Sequence, residues 1–260
     1  MNMEPKSRVS QFLLLTFAIT WICWGAVVIA NQFGHLQYGR PLAMILFLIG
    51  GNGPPIVSYF LLKRWGEIDG FKSFIKKNFQ FKSDAKHYIL IFCFLVLHFL
   101  LPLAMGASNQ TVALYMGLAY IPVNIIGGGL EEIGWRGILQ PELEKRIPFV
   151  PATIMVALIW AVWHLPLWAI IGTYQSTISF SMFAVSVFGF SFVLATIRKV
   201  TSSVFLCILF HAITNSFNGV FMLEQDISTV LTIILEIGVS LGVFFWWSKR
   251  KLKHEFQPNL

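Results

Sequence analysis

Gly127-Gly128-Gly129-Leu130-Glu131-Glu132-Ile133-Gly134-Trp135-Arg136 sets two adjacent carboxylates and an arginine inside a strongly apolar region. An ionised side chain in hydrocarbon is costly, so such groups persist where they pair, line a cavity or do chemistry. Residues four apart on a helix share a face, so Glu132 and Arg136 can pair directly. Glu131 is rotated about 100° from Glu132 and can point at something else. The plainer alternative is a structural ion-pair cluster at a helix end.

The surrounding composition decides the solvent. Of the 260 residues 56% are hydrophobic and only 12% charged, against about 25% charged in soluble domains. The mean hydropathy is +0.71. The apolar residues fall in long runs rather than short alternating ones, which excludes an outer-membrane barrel and predicts an all-α polytopic membrane protein. The net charge of +7 does not point to nucleic acid, because the basic residues sit at membrane-flanking positions. Cys23, Cys93 and Cys207 lie in different apolar runs and read as packing residues. Lys6 and Arg8 followed by Phe12 to Ala30 resemble a signal peptide. The run exceeds the roughly 7–15 residues of a signal h-region and is expected to be a retained helix.

Runs of about 20 apolar residues predict eight transmembrane helices around a polar intramembrane cavity, in a single domain spanning 1–260. They are Gln11–Asn31, Pro41–Leu62, His87–Ala107, Tyr115–Lys145, Ala152–Ile171, Phe180–Ile197, Ser203–Leu223 and Ile227–Trp247. With eight alternating spans, Arg40 alone among the 19 Lys and Arg falls opposite the rest. The positive-inside rule then places both termini in the cytoplasm. Between the second and third spans, Phe71, Phe74, Ile75 and Phe79 recur at helical spacing among lysines. This predicts an amphipathic helix on the anionic inner leaflet, with membrane lipids as partners.

Two further helices carry polar groups. Trp160-Ala161-Val162-Trp163-His164-Leu165-Pro166 holds a histidine beside a proline that tends to kink the helix. Phe210-His211-Ala212-Ile213-Thr214-Asn215 places His211 and Asn215 four apart. Each alone reads as packing or an interhelical hydrogen bond. Together the depths agree: His164 lies about 12 residues and His211 about 8 residues into outward-running helices, at 1.5 Å per residue. Glu131 arrives at a similar depth from the opposite direction. A carboxylate, two imidazoles and an amide in one pocket can activate water and stabilise an oxyanion, or hold a metal.

EEIGWR at 131–136 matches EExxxR, Trp160 to His164 resembles FxxxH with Trp for Phe, and His211 to Asn215 matches HxxxN. In that order these resemble the signatures of the CPBP family (CAAX proteases and bacteriocin-processing enzymes, also called Abi), over a core at 115–218. The resemblance implies an intramembrane endopeptidase acting on a peptide or a lipid-modified protein. Glu131 would be the general base and His164 would orient and activate the water. His211 and Asn215 would stabilise the oxyanion, with Glu132 and Arg136 holding Glu131. The family is often termed metalloprotease, and zinc would take Glu131, His164 and His211. The spacing does not match HExxH, so a reaction requiring no cofactor is the favoured expectation.

The expected location is the plasma membrane of a bacterial-type cell, where bacteriocin maturation or immunity is a further role. The rival readings are a catalytically idle scaffold or immunity protein of the same fold, and a small proton-coupled transporter. Asn52 is expected to mark a broken or closely packed second helix. Glu236 either lines the cavity or plays a hydrogen-bonded structural part, and Asn218 lies one turn beyond Asn215. His35, His87, His98 and His254 are expected to be non-catalytic.

Overall fold

The computed structural model describes residues 5–110, 112–224 and 226–256, and these are helical and irregular with no strand. The side chains of Lys6, Lys253 and His254 lie outside the described residues. In chain order come α1 (Pro5–Gln32), α2 (Pro41–Gly51), α3 (Gly53–Arg64), α4 (Phe71–Asn78), α5 (Ala85–Ala104) and α6 (Tyr115–Gly127). A 3-10 turn (Gly129–Glu131), α7 (Glu132–Gly134), a π-helical turn (Trp135–Leu139) and α8 (Gln140–Glu144) follow. The chain then forms α9 (Phe149–Trp163), a 3-10 turn (Leu165–Ala169), α10 (Phe180–Thr201), α11 (Val204–Phe221) and α12 (Ile227–Phe256).

Among the described residues six helices are long and apolar enough to cross a membrane: α1, α5, α9 with its 3-10 continuation, α10, α11 and α12. The pair α2 and α3, bent by 50°, makes a seventh. The run Tyr115–Lys145, expected as one straight span, is instead broken after Gly127. No polar residue marks the chain from Ile125 to Leu130, but the helix does not continue, because another helix occupies the space that side chains at 128 and 129 would need. A Cβ on Gly128 would lie 2.7 Å from Asn215 Nδ2, and one on Gly129 would lie 2.9 Å from the Ile208 carbonyl oxygen. α11 therefore packs directly on backbone. Gly129→Ala is expected to cost about 1–3 kcal/mol, as overpacking does where the obstacle is backbone. A lower thermal midpoint in detergent would register it, and an unchanged midpoint would refute such close packing.

The bend in the second span has a local cause. Pro54 has no N–H to offer the Gly50 carbonyl, and Thr20 Oγ1 on α1 donates to that oxygen instead at 2.7 Å. Asn52 sits at the break, as expected, and its Nδ2 donates to the carbonyls of Leu48 (2.9 Å) and Ile126 (3.1 Å). One amide thus ties this bend to the end of α6. The core behind it is aromatic. Trp24, Trp135 and Trp163 are almost fully buried, with ring centroids 4.9 Å (24–163) and 5.5 Å (135–163) apart. Phe12 meets Trp135 edge-on at 5.6 Å.

The basic segments gather at one end of the bundle. Arg8 at the start of α1 donates to Glu67 at 2.6 Å and lies 3.4 Å from Glu142. Lys77 on α4 bonds Glu67 at 2.7 Å, Lys145 bonds Glu142 at 2.6 Å, and Lys199 pairs with Glu144. The expected amphipathic α4 lies here. Phe74 is buried against Tyr59, with ring centroids 5.5 Å apart, while Phe71 and Ile75 stay exposed. Burial works to raise the Glu67 carboxyl, but the hydrogen bonds and charges of Lys77 and Arg8 outweigh it and hold the group below its ordinary value. Its contribution is therefore present at neutral pH and lost as the pH falls through that lowered value. Because both Glu67 and Lys77 are over a third exposed, Glu67→Gln is expected to cost about 0.5 kcal/mol or less. Thermal unfolding across acid pH would show the two proteins converging.

Candidate active site

Three stretches of chain bring the polar groups together, and Trp160 is where they meet. Glu131 ends the 3-10 turn after the glycines and is 6% exposed. Its Oε2 accepts from Trp160 Nε1 at 2.8 Å and from Trp135 Nε1 at 3.4 Å. Both contacts fall on one oxygen, which leaves Oε1 without a partner among the described residues. His164 terminates α9, where Pro166 converts the helix to a 3-10 turn. Its Nδ1 lies 2.8 Å from the Trp160 carbonyl oxygen. A carbonyl only accepts, so Nδ1 carries the proton, and in the neutral ring Nε2 is the acceptor. Trp163 and Phe183 hold the ring edge-on, with centroids 4.5 and 5.0 Å away.

His211, on α11, is turned by a different acid. Its Nδ1 lies 2.9 Å from Glu132 Oε1, and Glu132 is fully buried. The other carboxylate oxygen of Glu132 lies 3.5 Å from Arg136 Nε, giving the i,i+4 pair expected from the sequence. Arg136 also donates to Ser191 Oγ at 3.1 Å, and its guanidinium lies over the Trp160 ring, 5.3 Å from the centroid. The expected support of Glu131 by Glu132 and Arg136 is thus distributed differently. The two indoles contact Glu131, while Glu132 anchors His211. His211 Nε2 and Asn215 Nδ2 both face Gly128, at 3.1 and 2.7 Å from where its Cβ would stand. The ring of His211 is 5.6 Å from that of Trp160.

The four expected catalytic residues therefore share one neighbourhood. They are packed close, with His164 at 9% and His211 at 4% exposure. A cavity of about 190 Å³ lies elsewhere, at the basic end against Ile133, Gly137, Asn78 and Arg198. Among the described residues no three His, Cys, Asp or Glu side chains are grouped to hold a metal ion. Glu131, His164 and His211 are not grouped in that way.

Sequence reasoning missed two features. Trp160 was read only as a stand-in for Phe and Trp135 was given no role, although the i,i+4 spacing of Glu131 and Trp135 could have revealed one donor. His98 was passed over, yet its Nδ1 bonds Glu236 Oε1 at 2.8 Å, and its Nε2 lies 3.4 Å from Asn218 Oδ1. These groups form a second, partly buried polar cluster on α5, α11 and α12. Phe190 separates it from the first, with centroids 6.3 Å from His98 and 5.1 Å from His211.

A helical membrane bundle in which EExxxR, WxxxH and HxxxN converge is the arrangement implied by the CPBP resemblance, and comparison with known proteins shows that resemblance. Residues 113–217 match the family described as Type II CAAX prenyl endopeptidase Rce1-like. Over an alignment of 259 residues the chain is 26% identical to CAAX prenyl protease 2 of Methanococcus maripaludis, covering 90% of each chain.

Proposed function

We propose that this protein is an intramembrane endopeptidase that cleaves prenylated, CAAX-type protein termini with water activated by Glu131. The observation that carries the reading is the Glu131 carboxylate, buried, bonded through Oε2 alone, and held by Trp160, whose ring also meets both imidazoles. Oε1 takes a proton from water, which attacks the scissile carbonyl, while His164 orients that water through Nε2. The developing oxyanion is received by Asn215 Nδ2 and by His211 Nε2–H. For Nε2 to donate, His211 must carry two protons, and Glu132 supplies the counter-charge. The proton on Glu131 then passes to the leaving amine as the peptide bond breaks. The relative named as a prenyl protease supports the substrate class. The basic end would face the cytoplasm of the cell membrane, where prenylated termini arrive.

The test is incubation of purified protein with a prenylated CAAX peptide and its unprenylated twin, followed by mass spectrometry. Release of the terminal residues from the prenylated peptide alone is expected. Equal cleavage of both would replace prenyl recognition with a general peptide substrate, and cleavage of neither would favour the idle scaffold. Activity is expected to survive exhaustive chelation, and restoration by added zinc would overturn the metal-free step.

A further inference from the structure

Trp160 makes a different contact with each part of the site. Its indole N–H donates to Glu131, its carbonyl accepts from His164, its ring meets that of His211 edge-to-face and its face covers Arg136. It is 3% exposed and backed by Phe190, with ring centroids 5.9 Å apart and planes 26° from parallel. Such packing leaves the indole little freedom to turn. A buried indole N–H usually finds some partner, but here the partner is a carboxylate, and a second indole, that of Trp135, reaches the same oxygen. Two donors converging on Oε2 fix the rotation of the carboxyl group, and that rotation determines where Oε1 points.

We infer that Trp160 is a positioning residue for the reaction. With Trp135 it forms an indole clamp that locks Glu131 through Oε2 and presents Oε1 to the attacking water. The inference rests on the proposed role of Glu131 as base and assigns the orientation of that base to particular N–H groups. Phe at 160 would fill much of the same space, keep the backbone carbonyl for His164 and donate nothing to Glu131. The bond at 2.8 Å should matter more than the one at 3.4 Å. A hydrogen bond to a charged group corresponds to about ten- to a hundredfold in rate.

Trp160→Phe is therefore expected to lower kcat about ten- to a hundredfold with KM within about twofold of wild type, and Trp135→Phe is expected to lower kcat less. Loss through KM alone, or an unchanged kcat, would overturn the clamp. A second measurement needs no turnover. In protein labelled with 15N-tryptophan, Trp160→Phe assigns the indole N–H resonance of residue 160. Glu131→Ala should move that resonance to a field typical of an indole without a charged acceptor. If it stays in place, the contact is absent and the inference fails, whatever the activity. If it moves while the wild-type protein cleaves nothing, the contact stands, the positioning role is overturned, and the failure lies with the endopeptidase reading.

Discussion

Glu131→Gln is expected to reduce peptide cleavage by about 10²–10⁴-fold, the range attributed to a positioned general base. The amide keeps an oxygen for the two indoles, so the packing around Trp135 and Trp160 should survive, but it cannot take a proton from water. The variant should thus bind substrate with near-normal affinity and fail in the chemical step. Single-turnover kinetics with a prenylated peptide would separate the two. If the glutamine variant cleaves at the wild-type rate, Glu131 is not the base, and the buried carboxylate has only a structural task. Asn215→Ala gives a parallel expectation of about 10²–10³-fold, as for loss of one oxyanion donor.

The largest expected effect on stability comes from Glu132. This carboxylate is fully buried and joins His211 to Arg136, which is itself fully buried. Removing one partner of a buried pair leaves the other charge uncompensated, at about 3–5 kcal/mol. Glu132→Gln would leave the Arg136 guanidinium against the Ser191 hydroxyl and the Trp160 face without its ion-pair partner. A markedly lower unfolding midpoint in detergent is expected. The double variant Glu132→Gln with Arg136→Met should recover part of the loss, since the buried guanidinium is then no longer left without its carboxylate. A single variant as stable as wild type would mean that the pair contributes nothing to holding α7 and the π-helical turn in place.

What the sequence revealed follows the range of the interactions concerned. The membrane class, the apolar runs and the pairing of Glu132 with Arg136 depend on neighbours within a few residues, and periodicity exposes those. The break at Asn52 was legible because proline removes a donor at a fixed position. The break at Gly128 was not placed, since no polar residue marks the chain from Ile125 to Leu130 and the cause is the approach of α11 from far along the chain. Glu132 meets His211 across 79 residues, and His98 meets Glu236 across 138. No local pattern encodes such partners. The two tryptophans are the instructive miss. Treating Trp160 as an enlarged Phe recognised its volume and overlooked its N–H.

The Asn52 amide has a mechanical consequence. It bonds the Leu48 carbonyl on one side of the α2–α3 bend and the Ile126 carbonyl at the end of α6. Two interrupted helical stretches are thereby joined at a single articulation rather than flexing independently. Any load that straightens the α2–α3 elbow is passed through this amide to Gly128 and on to the turn bearing Glu131. A bulky group wedged beside the elbow would thus tug on the Glu131 carboxylate without ever touching it.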